Sequence, residues 1–232
     1  MRSPVSIWAN STSATDSLDW SGGGGNIWGR VHTNGRLRFV GARKAVVGQS
    51  SYAGELAADT TRISFSPTPV RAAVQPFPFR PELAAYRPGG SLADQAGAAY
   101  HDMSSRCGSG TWRDVTAPLS PGVYYASCDI QLSGADLAGR VTLVSEGRVK
   151  ISGSRPEFEP YLGGYLAIAG ASGERAIAVS ASTSGFGGIL FAEHGQISVS
   201  GSGNRFGCGL LGHKVSISGA DVDVRAGDCL AG

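Results

Sequence analysis

Residues 187–201, GGILFAEHGQISVSG, decide how this chain is read. Ile197 and Val199 face one way and Gln196, Ser198 and Ser200 the other, because side chains alternate faces along a strand. Gly195 and Gly201 mark corners. The same block recurs at 139–153, GRVTLVSEGRVKISG, at 29–41, GRVHTNGRLRFVG, and in shortened form at 209–219, GLLGHKVSISG. Taking the first inward residue of each apolar pair as a marker, Leu18 to Leu37, Ile130 to Val149, Ile177 to Ile197 and Ile197 to Val215 are steps of 19, 19, 20 and 18 residues. A period near twenty with an internal period of two signals stacked strand-forming coils, whereas helical repeats are longer and carry a period of 3.6.

One such coil exposes its inward Ile and Val to water and is stable only when neighbours cover it and pair with its backbone. The expected fold is therefore all-β: a single-domain parallel β-helix, or β-solenoid, with coils of about 18–20 residues and right-handed winding. Its interior column is expected to contain Ile130, Val149, Ile151, Ile177, Val179, Ile197, Val199, Val215 and Ile217. Leucine-rich repeats are the main competitor, but their Leu and Asn signature is absent.

Thirty-five glycines in 232 residues suit a turn-dense fold. Only 16% of residues are charged and the formal net charge is +2, so no strong field points to nucleic acid or an anionic membrane. No apolar run is long enough to span a membrane, and the opening MRSP does not begin a signal peptide, so an export signal or anchor is absent from these residues. The four cysteines fall in two pairs, Cys107 with Cys128 and Cys208 with Cys229, each separated by 21 residues. That is about one coil, and residues stacked on adjacent coils lie within disulfide reach. Both pairs are expected to be bridged, which favours an extracellular or cell-surface location.

Residues 1–16 read as an N-terminal cap with Ile7 and Trp8 as anchors, and residues 17–65 as the N-terminal coils. Residues 66–121 are a Pro-rich insertion, because prolines at 67, 69, 76, 78, 81 and 88 remove backbone donors. Within it, residues 91–103 are expected to form a short helix with Ser91 as N-cap, docked on the solenoid's side. Residues 122–232 read as the C-terminal coils, with 154–164 a loop thrown off the stack. Both coil ends are expected to be thinly covered, which leaves two arrangements open: end-to-end self-association into filaments, or a monomer in which residues 91–103 fold over one end.

The segments WGRVHTNG at 28–35, GILFAEHG at 188–195 and GLLGHKVSISG at 209–219, with LDWSG at 18–22 and FPFRP at 77–81, resemble the repetitive ectodomains of bacterial Tad/Flp-type pilus-assembly (TadG-like) proteins. The resemblance covers residues 7 to 225. It implies a secreted or surface-exposed solenoid, with pilus components as partners, and carries over no catalytic residue.

The residues supply no convincing active site. The acidic pairs Glu157/Glu159 and Asp221/Asp223 have the i, i+2 spacing that polysaccharide-processing carboxylates can take, but nothing marks them out, and Asp129 and Asp136 fare no better. Trp112 and Tyr161 are candidate carbohydrate platforms, with Glu157 and Glu159 beside them, whereas Trp20 reads as inward and Trp28 as packed at a corner. His194 and His213 precede matching turns, with His32 near the same corner of an earlier coil. They are weak candidates for a metal, and no metal or other cofactor is expected. Regular Thr-x-Thr rows of the kind expected on an ice-binding plane are lacking. The functional expectation is a non-enzymatic extracellular structural or adhesive module, with a polysaccharide-binding or polysaccharide-processing β-helix as the alternative.

Overall fold

A computed structural model describes residues 5–15, 17–59, 61–114 and 118–227. The apolar-x-apolar pairs meet one another there in parallel register. Ile130, Val149, Ile177, Ile197 and Val215 form one inward row. Leu132, Ile151, Val179, Val199 and Ile217 form the next. Every residue of the expected column is at most 1% exposed. At about 1.5–3 kcal/mol for each fully buried aliphatic side chain, this column is the principal stabilising feature of the stack. The chain is a β-solenoid with three faces. Its corners use glycine where coils nearly touch: Gly153 has φ +132°, and a Cβ there would lie 1.7 Å from the Gly134 carbonyl oxygen.

The stack is not sequential. Leu18 and Trp20 lie against Val215 and Ile217 on one side and against Leu37 and Phe39 on the other. Ile7 likewise lies between Leu210 and Val31, and the strand Gly25–Trp28 between Val222–Arg225 and Lys44–Val47. The first coil therefore sits on the last, and residues 5–28 occupy the middle. The expected N-terminal cap is a fully buried strand, Val5–Ala9. The ends of the stack are formed by strands at 100–114 and 56–71, so the thin caps expected at the chain's own ends are not the solenoid's ends.

This arrangement explains the insertion. Residues 72–99 must carry the chain from one end of the stack to the other, a span of about 40 Å at 4.8 Å per strand step. The segment lies along one face as a strap and builds a second apolar layer. In it Phe77, Tyr86 and Ala96 pack with Val123, Tyr125, Val144, Tyr165, Ile168, Phe191 and Leu211. Polar clamps fix its course. Arg87 grips Glu146 through Nε–Oε1 at 2.7 Å and Nη2–Oε2 at 3.0 Å, and Arg80 meets Glu193 at 2.9 Å. The Arg87 guanidinium holds the Glu146 carboxyl below its ordinary range.

The helix in the strap is Ser91–Ala96, shorter than expected, with Gly90 rather than Ser91 at the N-cap and no side-chain cap. It stops at Gly97, whose φ of +56° departs from helical geometry. Beyond a 3₁₀ turn, Tyr100–Asp102 is already a strand, and Met103 enters the interior core. The region read as insertion thus contains two strands of the terminal coil, Tyr100–Asp102 and Thr111–Asp114. Cys107 is bridged to Cys128 with Cα atoms 6.0 Å apart, tying that coil to its neighbour as the 21-residue spacing predicts. Cys208 is buried, and its expected partner Cys229 lies outside the described residues.

Residues 154–164 are no loop off the stack. Glu157–Glu159 is a strand of the third face, paired with residues 138–140 and with Gly185–Phe186. Phe158 points inward at the head of an aromatic file with Phe186 and Phe206, their ring centroids 6.5 and 5.2 Å apart. Burial of that ring, which the flanking glutamates frame with a period of two, draws the segment into the coil.

Candidate functional site

With one face covered by the strap, the face built on Asp129–Ala135, Val149–Ser154, Gly173–Ser182, residues 196–200 and residues 214–217 is left open. Its outward positions follow from the inward ones by alternation. Gln131, Lys150, Ala178, Ser198 and Ser216 form one row. Ser133, Ser152, Ser180 and Ser200 form a second, which Ser218 prolongs. Small side chains repeat about every 4.8 Å along the stack and about every 7 Å along each strand. Ala178, Ser180, Ser198, Ser200, Ser216 and Ser218 make a patch three coils long without charge. Adjacent hydroxyls lie close enough to bond, as Ser200 to Ser180 at 3.1 Å.

A shallow cavity of about 350 Å³ opens over this serine face. Ser180, Ser198 and Ser200 line its floor, and Arg148, Lys150 and Arg175 stand on its border. Asp129 also lines it, with Oδ1 accepting the Arg148 backbone N–H at 2.8 Å, so this carboxylate closes a corner between coils. Arrangements of this kind offer many weak hydrogen bonds over a rigid plane.

The residues singled out for carbohydrate binding are not brought together. Trp112 points into the core at 2% exposure and stacks on Tyr124 with centroids 5.6 Å apart, because Thr111–Asp114 registers Trp112 with inward Ile130. It is no platform. Trp28, expected to pack at a corner, is the exposed tryptophan at 44%, beside exposed Val47 on the third face. The inward Ile27 next to it carries the signal that would have placed Trp28 outside. Tyr161 is half-buried, with the Arg140 guanidinium carbon 5.7 Å from its ring centre. Glu157 and Glu159 stand on the third face, their carboxylates folded over Gly185 and Gly187, where a Cβ would meet them at 2.0 and 1.9 Å.

Two of the remaining candidate acids, Asp223 and Asp136, serve the scaffold. Asp223 Oδ1 accepts two bonds from Asn26, its backbone N–H and its side-chain amide, each at 3.0 Å. Asp136 takes a two-pronged grip from Arg155 one coil above, at 2.7 and 2.9 Å, which lowers its carboxyl below the usual range.

His194 and His213 do share a cavity, with Glu174, Gln196 and Lys214. Burial, followed by the charges of Lys214 and His194, holds the His213 imidazole below its ordinary value. Among the described residues, no group of three or more His, Cys, Asp or Glu side chains is placed to hold a metal ion. His32 is not at that corner. It is fully buried under the strap, packed against Trp8 in a tilted arrangement with ring centroids 4.3 Å apart, with Nδ1 2.8 Å from Ser51 Oγ and Nε2 2.8 Å from Asn34 Oδ1. Asn34 also clamps the strap at Gln75, accepting its N–H at 2.8 Å and donating to its carbonyl at 2.7 Å. Since Asn34 Oδ1 accepts, His32 carries its proton on Nε2 and accepts from Ser51 at Nδ1.

No protein-family model and no curated protein matches the chain. Among solved structures it is similar to an ice binding protein from an Antarctic bacterium, Flavobacteriaceae, with TM-score 0.50 and 13% identity. What the two share is the fold. The match covers 99% of this chain and 47% of that structure, so the chain spans about half of its neighbour's length. Among the described residues, no helix is long and apolar enough to cross a membrane.

Proposed function

We propose that this chain is a non-enzymatic extracellular adhesive module, displayed with a Tad-type pilus-assembly apparatus, that binds extended polysaccharide through its serine face. The observation that carries the reading is the rigid, uncovered plane of registered Ser and Ala side chains, which the strap leaves open while it closes another face. A plane of repeating hydroxyls matches a polymer of repeating hydroxyls. Each contact is weak, and the rigid scaffold gathers them without an ordering cost. The bridge between Cys107 and Cys128 supports an oxidising location. Ice adsorption is a second reading, favoured by the uncharged three-coil patch and by the name of the structural neighbour. Lys150 and Gln131 on one flank, and Asp19 and Arg38 on the other, limit the area that a crystal face would meet.

The experiment is co-sedimentation of the chain with insoluble polysaccharides, alongside Ser198→Tyr, Ser200→Tyr and, as control on the third face, Ser64→Tyr. The serine-face variants should lose retention and the control should keep it. Equal retention by all variants, or release of oligosaccharide from the polymer, would overturn the reading. Thermal hysteresis lost in the same two variants would instead select ice.

A further inference from the structure

The geometry points to an acidic glycan, carrying carboxylate or sulfate groups, as the polymer that this face takes. We propose that Arg148, Lys150 and Arg175 are the residues that select it, an inference that rests on the adhesive reading of the serine face.

Arg148, immediately before the strand Val149–Ser154, and Lys150 within it are two residues apart, which in extended backbone separates their Cβ atoms by about 7 Å. Arg175 stands at the irregular start of the strand Gly173–Ser182, where the register shifts between Gly173 and Ile177, and all three are exposed on the border of one cavity. Four other arginines of the solenoid are held by carboxylates: Arg36 by Glu55, Arg38 by Asp19, Arg87 by Glu146 and Arg155 by Asp136. The three groove cations have no such carboxylate partner among the described residues. The acid in the groove, Asp129, is engaged by a backbone N–H. Neighbouring cations repel one another, and a polyanion laid across the strands removes that repulsion while its hydroxyls meet the serines.

The same chemistry argues against two other ligands. The cations are spread over two coils of a shallow, open groove, so no small anion is enclosed. Among the described residues, no aromatic side chain lines the cavity, so a single-stranded nucleic acid finds nothing there on which to stack its bases.

The test measures equilibrium binding of the whole chain to a soluble polyuronate, to a neutral dextran and to single-stranded DNA, at low and high salt. The groove variant combines Arg148→Gln, Lys150→Gln and Arg175→Asn, asparagine being chosen because residue 175 has φ +55°. A charge-matched control combines Arg43→Asn, Arg205→Gln and Arg225→Gln, away from the groove. All six positions are exposed, and melting curves verify that both variants fold. The groove variant should bind polyuronate about tenfold more weakly, the sum of three exposed ion pairs, and the control should stay within about twofold of the parent. Added salt should erase the difference. Equal losses in both variants, tighter binding of DNA, or no preference for polyuronate over dextran would overturn the proposal. Loss of the preference with serine-dependent dextran binding intact refutes this inference alone. Arginine-dependent polyuronate binding that survives Ser198→Tyr refutes the serine-face reading instead.

Discussion

Leu18→Ala tests the order of the coils. Leu18 is 0% exposed because Val215 covers it from one coil and Leu37 from the next, although Val215 is nearly the whole chain away. A Leu→Ala change in a packed core costs about 2–5 kcal/mol, and a site closed on both sides by registered strands cannot collapse easily, so about 3 kcal/mol is expected. Leu56 provides the internal comparison. It occupies the same row at the end of the stack, registers among the described residues with Leu37 alone and is half-buried, so Leu56→Ala should cost about 1 kcal/mol. Urea unfolding followed by tryptophan fluorescence and far-UV circular dichroism reads both. Adding Val215→Ala to Leu18→Ala should reveal a coupling of about 1 kcal/mol, since residues in contact are not additive. If Leu18→Ala costs no more than Leu56→Ala and is additive with Val215→Ala, the coils stack in sequence order and the closure of first coil on last is wrong.

His32 should make stability depend on pH. Burial, opposed by the Asn34 hydrogen bond and reinforced by Arg30, lowers its pKa below the ordinary 6.5. The unfolded chain therefore binds the proton more readily, so the stabilisation is complete above about pH 6.5 and is lost as pH falls through the lowered folded value. His32→Gln should flatten this part of a stability–pH profile, and an unchanged slope would exclude His32 as its source. Reducing the Cys107–Cys128 bridge, which closes a loop of about 20 residues, should lower stability by about 3 kcal/mol. Protection of amides in Tyr100–Asp102 and Thr111–Asp114 should fall first, and uniform loss across all coils would contradict the assignment of this bridge to the end of the stack.

The solenoid was legible because its coils obey a local rule: Val149, Ile151, Ile197 and Val199 sit two apart, and the coils near twenty. The Cys107–Cys128 bridge follows from the same period. Stack order is not local. Leu18-x-Trp20 presents the same inward shape to Val215-x-Ile217 as to Leu37-x-Phe39, so nothing in either pair names its neighbour. The two tryptophans escape the alternation rule for a related reason. Trp112 and Trp28 both flank glycine-rich turns, where the count of residues at the corner sets the alternation. Glu157-Phe158-Glu159 was readable as a strand, and the adjacent Pro156 and Pro160 obscured it. The serine rows were visible as polar positions, but their flatness arises only when Ser180, Ser198 and Ser200 come into register.

Hydrogen–deuterium exchange of the chain with and without a bound soluble acidic polysaccharide tests the central claim most directly. Binding through the serine face predicts added protection in Val149–Ser154, Gly173–Ser182 and residues 196–200, with none in Glu157–Glu159, Arg205–Phe206 or Gly25–Trp28. Protection centred on Trp28 and its neighbours, with the serine strands unchanged, would contradict it.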